Sequence, residues 1–69
     1  MFDRCRFQAQ MVLKGINGKE LSEKLGINES TLYRKLNDNG NFSREEINKL
    51  INILDIDDPV AIFFAEEFA

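Results

Sequence analysis

The 69-residue chain has no histidine and one cysteine, Cys5. Those two absences remove much of the chemistry a small protein could perform. An intrachain disulfide needs two thiols, and a structural zinc needs four Cys or His ligands, so neither braces this fold. No motif around Cys5 would activate it. It is expected to pack as a small apolar residue in a first helix, as suits a reducing compartment. With no His, no nucleophile beside a base and no glycine-rich phosphate loop, enzymatic activity and a bound cofactor or metal are not expected. No apolar run approaches membrane-spanning length. The start alternates charged and apolar residues (Phe2, Asp3, Arg4, Cys5, Arg6, Phe7), unlike a signal peptide. Repeats, low-complexity runs and linkers are also missing. The expectation is one soluble, cytoplasmic domain over residues 1–69, near the size at which a single core is marginal and dimerisation helps.

Charge is present but unevenly placed. The net charge is −3. Residues 1–54 carry nine bases and seven acids, a balance of +2, whereas 55–69 carry five acids (Asp55, Asp57, Asp58, Glu66, Glu67) and no base, a balance of −5. Attraction to a polyanion depends on where charge sits rather than on its total. The split describes a neutral-to-basic head with an acidic tail.

Turn residues divide the chain into five helical segments, an all-α reading. Asp3 can cap a first helix ending at Lys14, with Cys5, Ala9, Val12 and Leu13 on one face and Gly15 closing it. Asn17 then caps a second helix, with Glu20 completing a capping box and Ile16 and Leu21 at staple positions. Asn28 is read as the next cap, with Ile27 and Leu32 as its staple. Ser43, Glu46, Phe42 and Ile47 repeat the pattern. The fourth helix buries Ile47, Leu50, Ile51 and Leu54. Asp58 and Pro59 start a last helix over 59–68 that carries Val60, Ile62, Phe63, Phe64 and Phe68.

Residues 18–36 read as two short helices broken at Gly26-Ile27-Asn28, a helix-turn-helix pattern. At about 100° per residue, Leu32 and Leu36 point to the core while Ser30, Arg34 and Asn37 lie opposite, with Tyr33 on the flank. Glu29 stands at the first turn. Arg34 can pair bidentately with guanine, Ser30 can bond to base edges or phosphate, and Glu29 can accept from a cytosine amino group. Lys19, Lys24, Lys35, Asn37, Asn39 and Asn41 could hold phosphates, as could the first N–H groups of the second and third helices. Lys14 and Arg44 are weaker candidates. Each has a plainer reading: solvated lysines, asparagines that only form loops, and Tyr33 packed over the core edge.

The run Glu20-Leu-Ser-Glu-Lys-Leu-Gly-Ile-Asn-Glu-Ser-Thr-Leu-Tyr-Arg-Lys-Leu36, followed by Phe42-Ser-Arg-Glu-Glu-Ile47 and Leu54-Asp-Ile56, resembles the lambda-repressor and Cro (XRE-like) helix-turn-helix family. The closing Asp58-Pro-Val-Ala-Ile-Phe-Phe64 looks like the tail of small phage-encoded members. The resemblance spans nearly the whole chain. It implies a five-helix domain with the motif at helices two and three, double-stranded DNA as partner, and base reading by Glu29, Ser30, Tyr33 and Arg34. Three positions depart from it. Gly18 and Lys19 stand where the family often has a DNA-contacting Gln, Ser22 replaces a usual Ala, and Lys35 replaces a usual apolar residue and could rotate the helix end.

Two functions follow from different classes. One is a Cro-like repressor that binds a two-fold operator as a homodimer, in a bacterial or phage-infected cell. The chain is too short for a separate dimerisation domain, so Phe63, Phe64 and Phe68 are expected to offer the dimer or partner surface, with at least one of them in the core. The other is an antirepressor that binds another repressor protein through the acidic, Phe-rich tail.

Overall fold

A computed structural model describes residues 1–65. Five helices are present and no strand is found among these residues: α1 (Arg4–Lys14), α2 (Gly18–Leu25), α3 (Glu29–Asn37), α4 (Arg44–Leu54) and α5 (Pro59–Phe63). Most boundaries follow from local chemistry. The Asp3 carboxylate accepts from Arg6 N at 3.0 Å. Reciprocal capping boxes join Asn17 to Glu20 and Ser43 to Glu46. Asp58 accepts from Ala61 N, with Pro59 in the first turn of α5.

Helices α1, α2 and α4 end alike. Gly15, Gly26 and Asp55 take the left-handed conformation. The following residue, Ile16, Ile27 or Ile56, then donates its N–H to the carbonyl five positions back, each at 3.0 Å. That is the Schellman bond with its apolar follower, and the three isoleucines rest on or within the core. The end of α4 is also closed from outside, because Gln10 Nε2 donates to the carbonyls of Leu54 (2.7 Å) and Asp55 (3.3 Å).

α2 lies against α3 and α4, and α1 lies against α4 and α5. Leu21, Leu25, Leu32, Leu36, Leu50 and Leu54 fill the space between α2, α3 and α4. The other half of the core is aromatic. Phe2, Phe7, Phe42 and Phe63 come from four separate parts of the chain, and every pair has ring centroids 5.4–6.4 Å apart. Such pairs stabilise by roughly 0.5–1.5 kcal/mol each beyond their burial. Buried Ser22 donates to the Lys19 carbonyl at 2.8 Å, so the hydroxyl at this close-packed position is satisfied.

Four expectations are corrected here. α1 turns the opposite face inward: Phe7 is buried and Met11 packs on the core, while Cys5 and Ala9 are exposed and Val12 and Leu13 are 80% and 74% exposed. Asn28 occupies the cap position of α3 without making a side-chain capping bond. α5 stops at Phe63 rather than running through 59–68, and residues 66–69, including Phe68, lie outside the described residues. Phe63 is a core ring rather than an interface residue, whereas Phe64 is 47% exposed. No helix among the described residues is long and apolar enough to cross a membrane.

Candidate nucleic-acid interface

α3 is anchored by Leu32 and Leu36, which are 0% and 3% exposed. Burial of these two leucines fixes the helix rotation, so its outer row must run through Ser30, Arg34 and Asn37, all exposed. Glu29 is exposed at the first turn, and Thr31 is half-buried on the flank of this row. Lys35 does not disturb the helix, which stays regular to Asn37.

The N-terminus of α3 differs from the other four. Each of those is closed by a side chain, Asp3, Asn17, Ser43 or Asp58, but none closes α3. Its first N–H groups therefore remain available beside Glu29 and Ser30. The first turn of α2, by contrast, is occupied by the Asn17–Glu20 box, with Glu20 at 2.8 Å from N–H to Asn17 Oδ1. A phosphate reaching α2 would find the Glu20 carboxylate there.

Tyr33 leans from the flank of α3 onto Gly18, the first residue of α2. A Cβ at position 18 would fall 2.9 Å from Tyr33 Cζ and closer still to the phenol oxygen. Glycine at the start of α2 is thus the space the phenol occupies. Tyr33 remains 41% exposed, so it braces the two helices of the motif and presents one edge outward.

The cations sort into two sets. Arg6 pairs with Asp3, Lys14 with Asp55, Lys35 with Glu46 and Lys49 with Glu45, at 3.0–3.8 Å. Arg4, Lys19, Lys24, Arg34 and Arg44 have no carboxylate within ion-pair distance among the described residues. Lys35, placed in the sequence reading among phosphate contacts, is the most committed of the first set. Its ammonium meets Glu46 Oε1 at 3.2 Å, with the two side chains 24% and 17% exposed, and so ties α3 to α4. The same Glu46 oxygen accepts from Ser43 N at 2.8 Å. Burial alone would push the Glu46 carboxyl up, but the Ser43 N–H, the Lys35 ammonium and the Ser43 hydroxyl together outweigh it and hold the group below its ordinary value.

The three asparagines at and after the end of α3 each make a side-chain hydrogen bond. Asn37 Oδ1 accepts from Arg4 Nη1. Asn39 adopts φ 55° and its Oδ1 accepts from Phe2 N at 3.3 Å. Asn41 Nδ2 donates to Asp38 Oδ2 at 3.2 Å. Each amide keeps one polar group unused by these bonds. The Arg4–Asn37 contact joins residues 33 positions apart, and no local pattern in the sequence announces it. A family model described as the Cro/C1-type HTH DNA-binding domain matches residues 6–59 of the chain. No curated protein and no solved structure matches it significantly.

Proposed function

The chain belongs to the Cro/C1-type helix-turn-helix DNA-binding family, and from that premise we propose that it is a cytoplasmic, phage-type repressor that reads a two-fold operator as a homodimer. The observation that carries the reading is the outer row of α3. Ser30 and Arg34 stand exposed directly opposite buried Leu32 and Leu36, and Arg34 is free of any carboxylate partner among the described residues. A helix so anchored can enter a major groove with its open N-terminus first. Arg34 then addresses a guanine, Ser30 a base edge or phosphate, and Glu29 a cytosine amino group. Tyr33 contributes the exposed edge of its ring. Lys19 and Lys24, also unpaired among the described residues, hold the flanking backbone from α2, with Asn37 and Asn39 offering their free NH₂ groups at and after the end of α3 and Asn41 the second hydrogen of the NH₂ that meets Asp38. Exposed Phe64 is the remaining described aromatic of the proposed dimer surface.

The test is selection of duplexes from a randomised library at near-physiological salt. Enrichment of a symmetric site with half-sites about one helical turn apart is the expected result. Arg34→Ala should then lower affinity for the selected site by about 1–3 kcal/mol and relax preference at one base pair per half-site. No enrichment by folded protein would turn the reading towards an antirepressor whose contacts lie in the acidic segment after Leu54, where Asp57, Asp58 and Phe64 are each exposed.

A further inference from the structure

Arg4 is the first residue of α1, yet its guanidinium reaches the far end of α3. Its Nη1 donates to Asn37 Oδ1. Asn37 is the last residue of α3 and lies on the outer row three positions beyond Arg34. The guanidinium therefore extends the Ser30, Arg34, Asn37 row at the end opposite Glu29.

The partner is chemically unusual for a structural arginine. Four of the nine cations meet carboxylates, whereas Arg4 meets a neutral amide and no carboxylate lies within ion-pair distance of it among the described residues. One donor of five is used and the charge is left whole. Because guanidinium has no acceptor, the amide must present its oxygen to Arg4, which turns the Asn37 NH₂ away from it. The pair thus offers an uncompensated cation and a neutral donor side by side.

The backbone beneath Arg4 is fixed in advance. Asp3 N donates to the Ile62 carbonyl at 2.7 Å, the Asp3 carboxylate caps α1, and Phe2 is held in the aromatic cluster. The C-terminal end of a helix carries partial negative charge and by itself repels an anion. Among the described residues, Lys35 in the last turn of α3 itself is paired with Glu46 and Arg34 is not, and α1 adds a second unpaired cation, Arg4, at the very end of the helix.

We propose that Arg4 and Asn37 form a binding site for a DNA backbone phosphate at the C-terminal end of α3. The proposal rests on α3 being the reading helix. Guanidinium and amide donors together suit the non-bridging oxygens of a phosphodiester and carry no base information.

The experiment compares the full chain with its Arg4→Gln, Arg4→Lys and Asn37→Ala variants on the selected duplex and on a scrambled duplex of equal length, across a salt series. Arg4→Gln is expected to weaken both complexes by a similar factor, about tenfold. It should also lower the slope of log K against log salt by about one while leaving base preferences intact. Arg4→Lys should keep most of the slope. Methylphosphonate substitution, one linkage at a time, gives a readout that needs no altered protein: the wild-type chain should be sensitive at one linkage per half-site outside the bases read by Arg34. An unchanged slope with Arg4→Gln overturns the pair while leaving the reading helix standing. So does a loss confined to the selected duplex. If wild-type protein selects no duplex, both the pair and the reading beneath it fall.

Discussion

Replacing Gly18 with Ala tests whether the phenol of Tyr33 holds the two helices of the motif together. Gly18 is the first residue of α2 and its φ lies outside the left-handed region, so Ala fits the backbone there. On helix propensity alone, Ala at an ordinary helical position stabilises by roughly 0.5–1 kcal/mol over Gly. The added methyl, however, would stand 2.9 Å from Tyr33 Cζ and 3.2 Å from Cε2. Carbon atoms settle at about 3.5–4.0 Å, so the ring must retreat by about 1 Å or swing away. Swinging exposes the ring face that now covers the start of α2, and overpacking of this kind costs about 1–3 kcal/mol where the ring cannot move. Gly18→Ala should therefore be neutral to destabilising with Tyr33 present. In a Tyr33→Ala background the same change should stabilise by about 0.5–1 kcal/mol. Urea denaturation of the four proteins, with midpoints compared at equal m-values, measures the difference. An equal gain from Ala in both backgrounds would refute the packing argument, since it would mean that no ring occupies the space.

Three further perturbations address other parts of the fold. Gly40→Ala combines a left-handed backbone, φ 65°, with a methyl 2.8 Å or less from ring atoms of buried Phe2; a loss of about 2–4 kcal/mol in a denaturation experiment is expected, and a loss under ~1 kcal/mol would contradict it. Gln10→Ala removes the two donations that close α4 and should cost about 1–2 kcal/mol, while Gln10→Glu, which cannot donate when ionised, should be at least as unfavourable at neutral pH and recover in acid. Glu46 titrates below its ordinary value of 4.5 in the folded state, so its contribution is complete above that value and lost as pH falls through the depressed one. The stability gap between wild type and Glu46→Gln should accordingly be widest near neutrality and narrow below about pH 4.5; a gap that does not vary with pH would rule this out.

What the sequence made legible was local. Caps and their partners three positions on, left-handed glycines and a proline after an Asp are decided by neighbours along the chain, and Asn17–Glu20, Ser43–Glu46, Gly15, Gly26 and Asp58–Pro59 all sit where those rules put them. Leu32 and Leu36 were readable for the same reason, and with them the outer row of α3. α1 was misread because it has two apolar faces about 180° apart. Cys5, Ala9, Val12 and Leu13 satisfy helical spacing better than Phe7 and Met11. Which face turns inward depends on whether a ring can reach Phe2, Phe42 and Phe63, and that is a property of distant residues. Asn28 shows the limit of a spacing rule, since its side chain is suited to a capping bond that it does not make. The site resisted in the same way. Nothing near Gly18 says that Tyr33 needs its space, nothing near Lys35 says that Glu46 has claimed it, and Arg4 and Asn37 meet only because α1 crosses the end of α3.

The aromatic cluster also governs the order in which the protein can become useful. Its four rings come from positions 2, 7, 42 and 63, and the first strand of contacts, Asp3 N to the Ile62 carbonyl and Ala65 N to the Met1 carbonyl, joins the earliest residues to the last described ones. A ribosome delivers residues 18–36 long before it delivers Phe63. The half-made chain holds every side chain proposed to read DNA, but its core lacks one ring in four and the start of α1 has nothing to close against. Closure of the core thereby waits for Phe63, and a product broken off before it would meet proteases as an open chain instead of competing for the same sites on DNA.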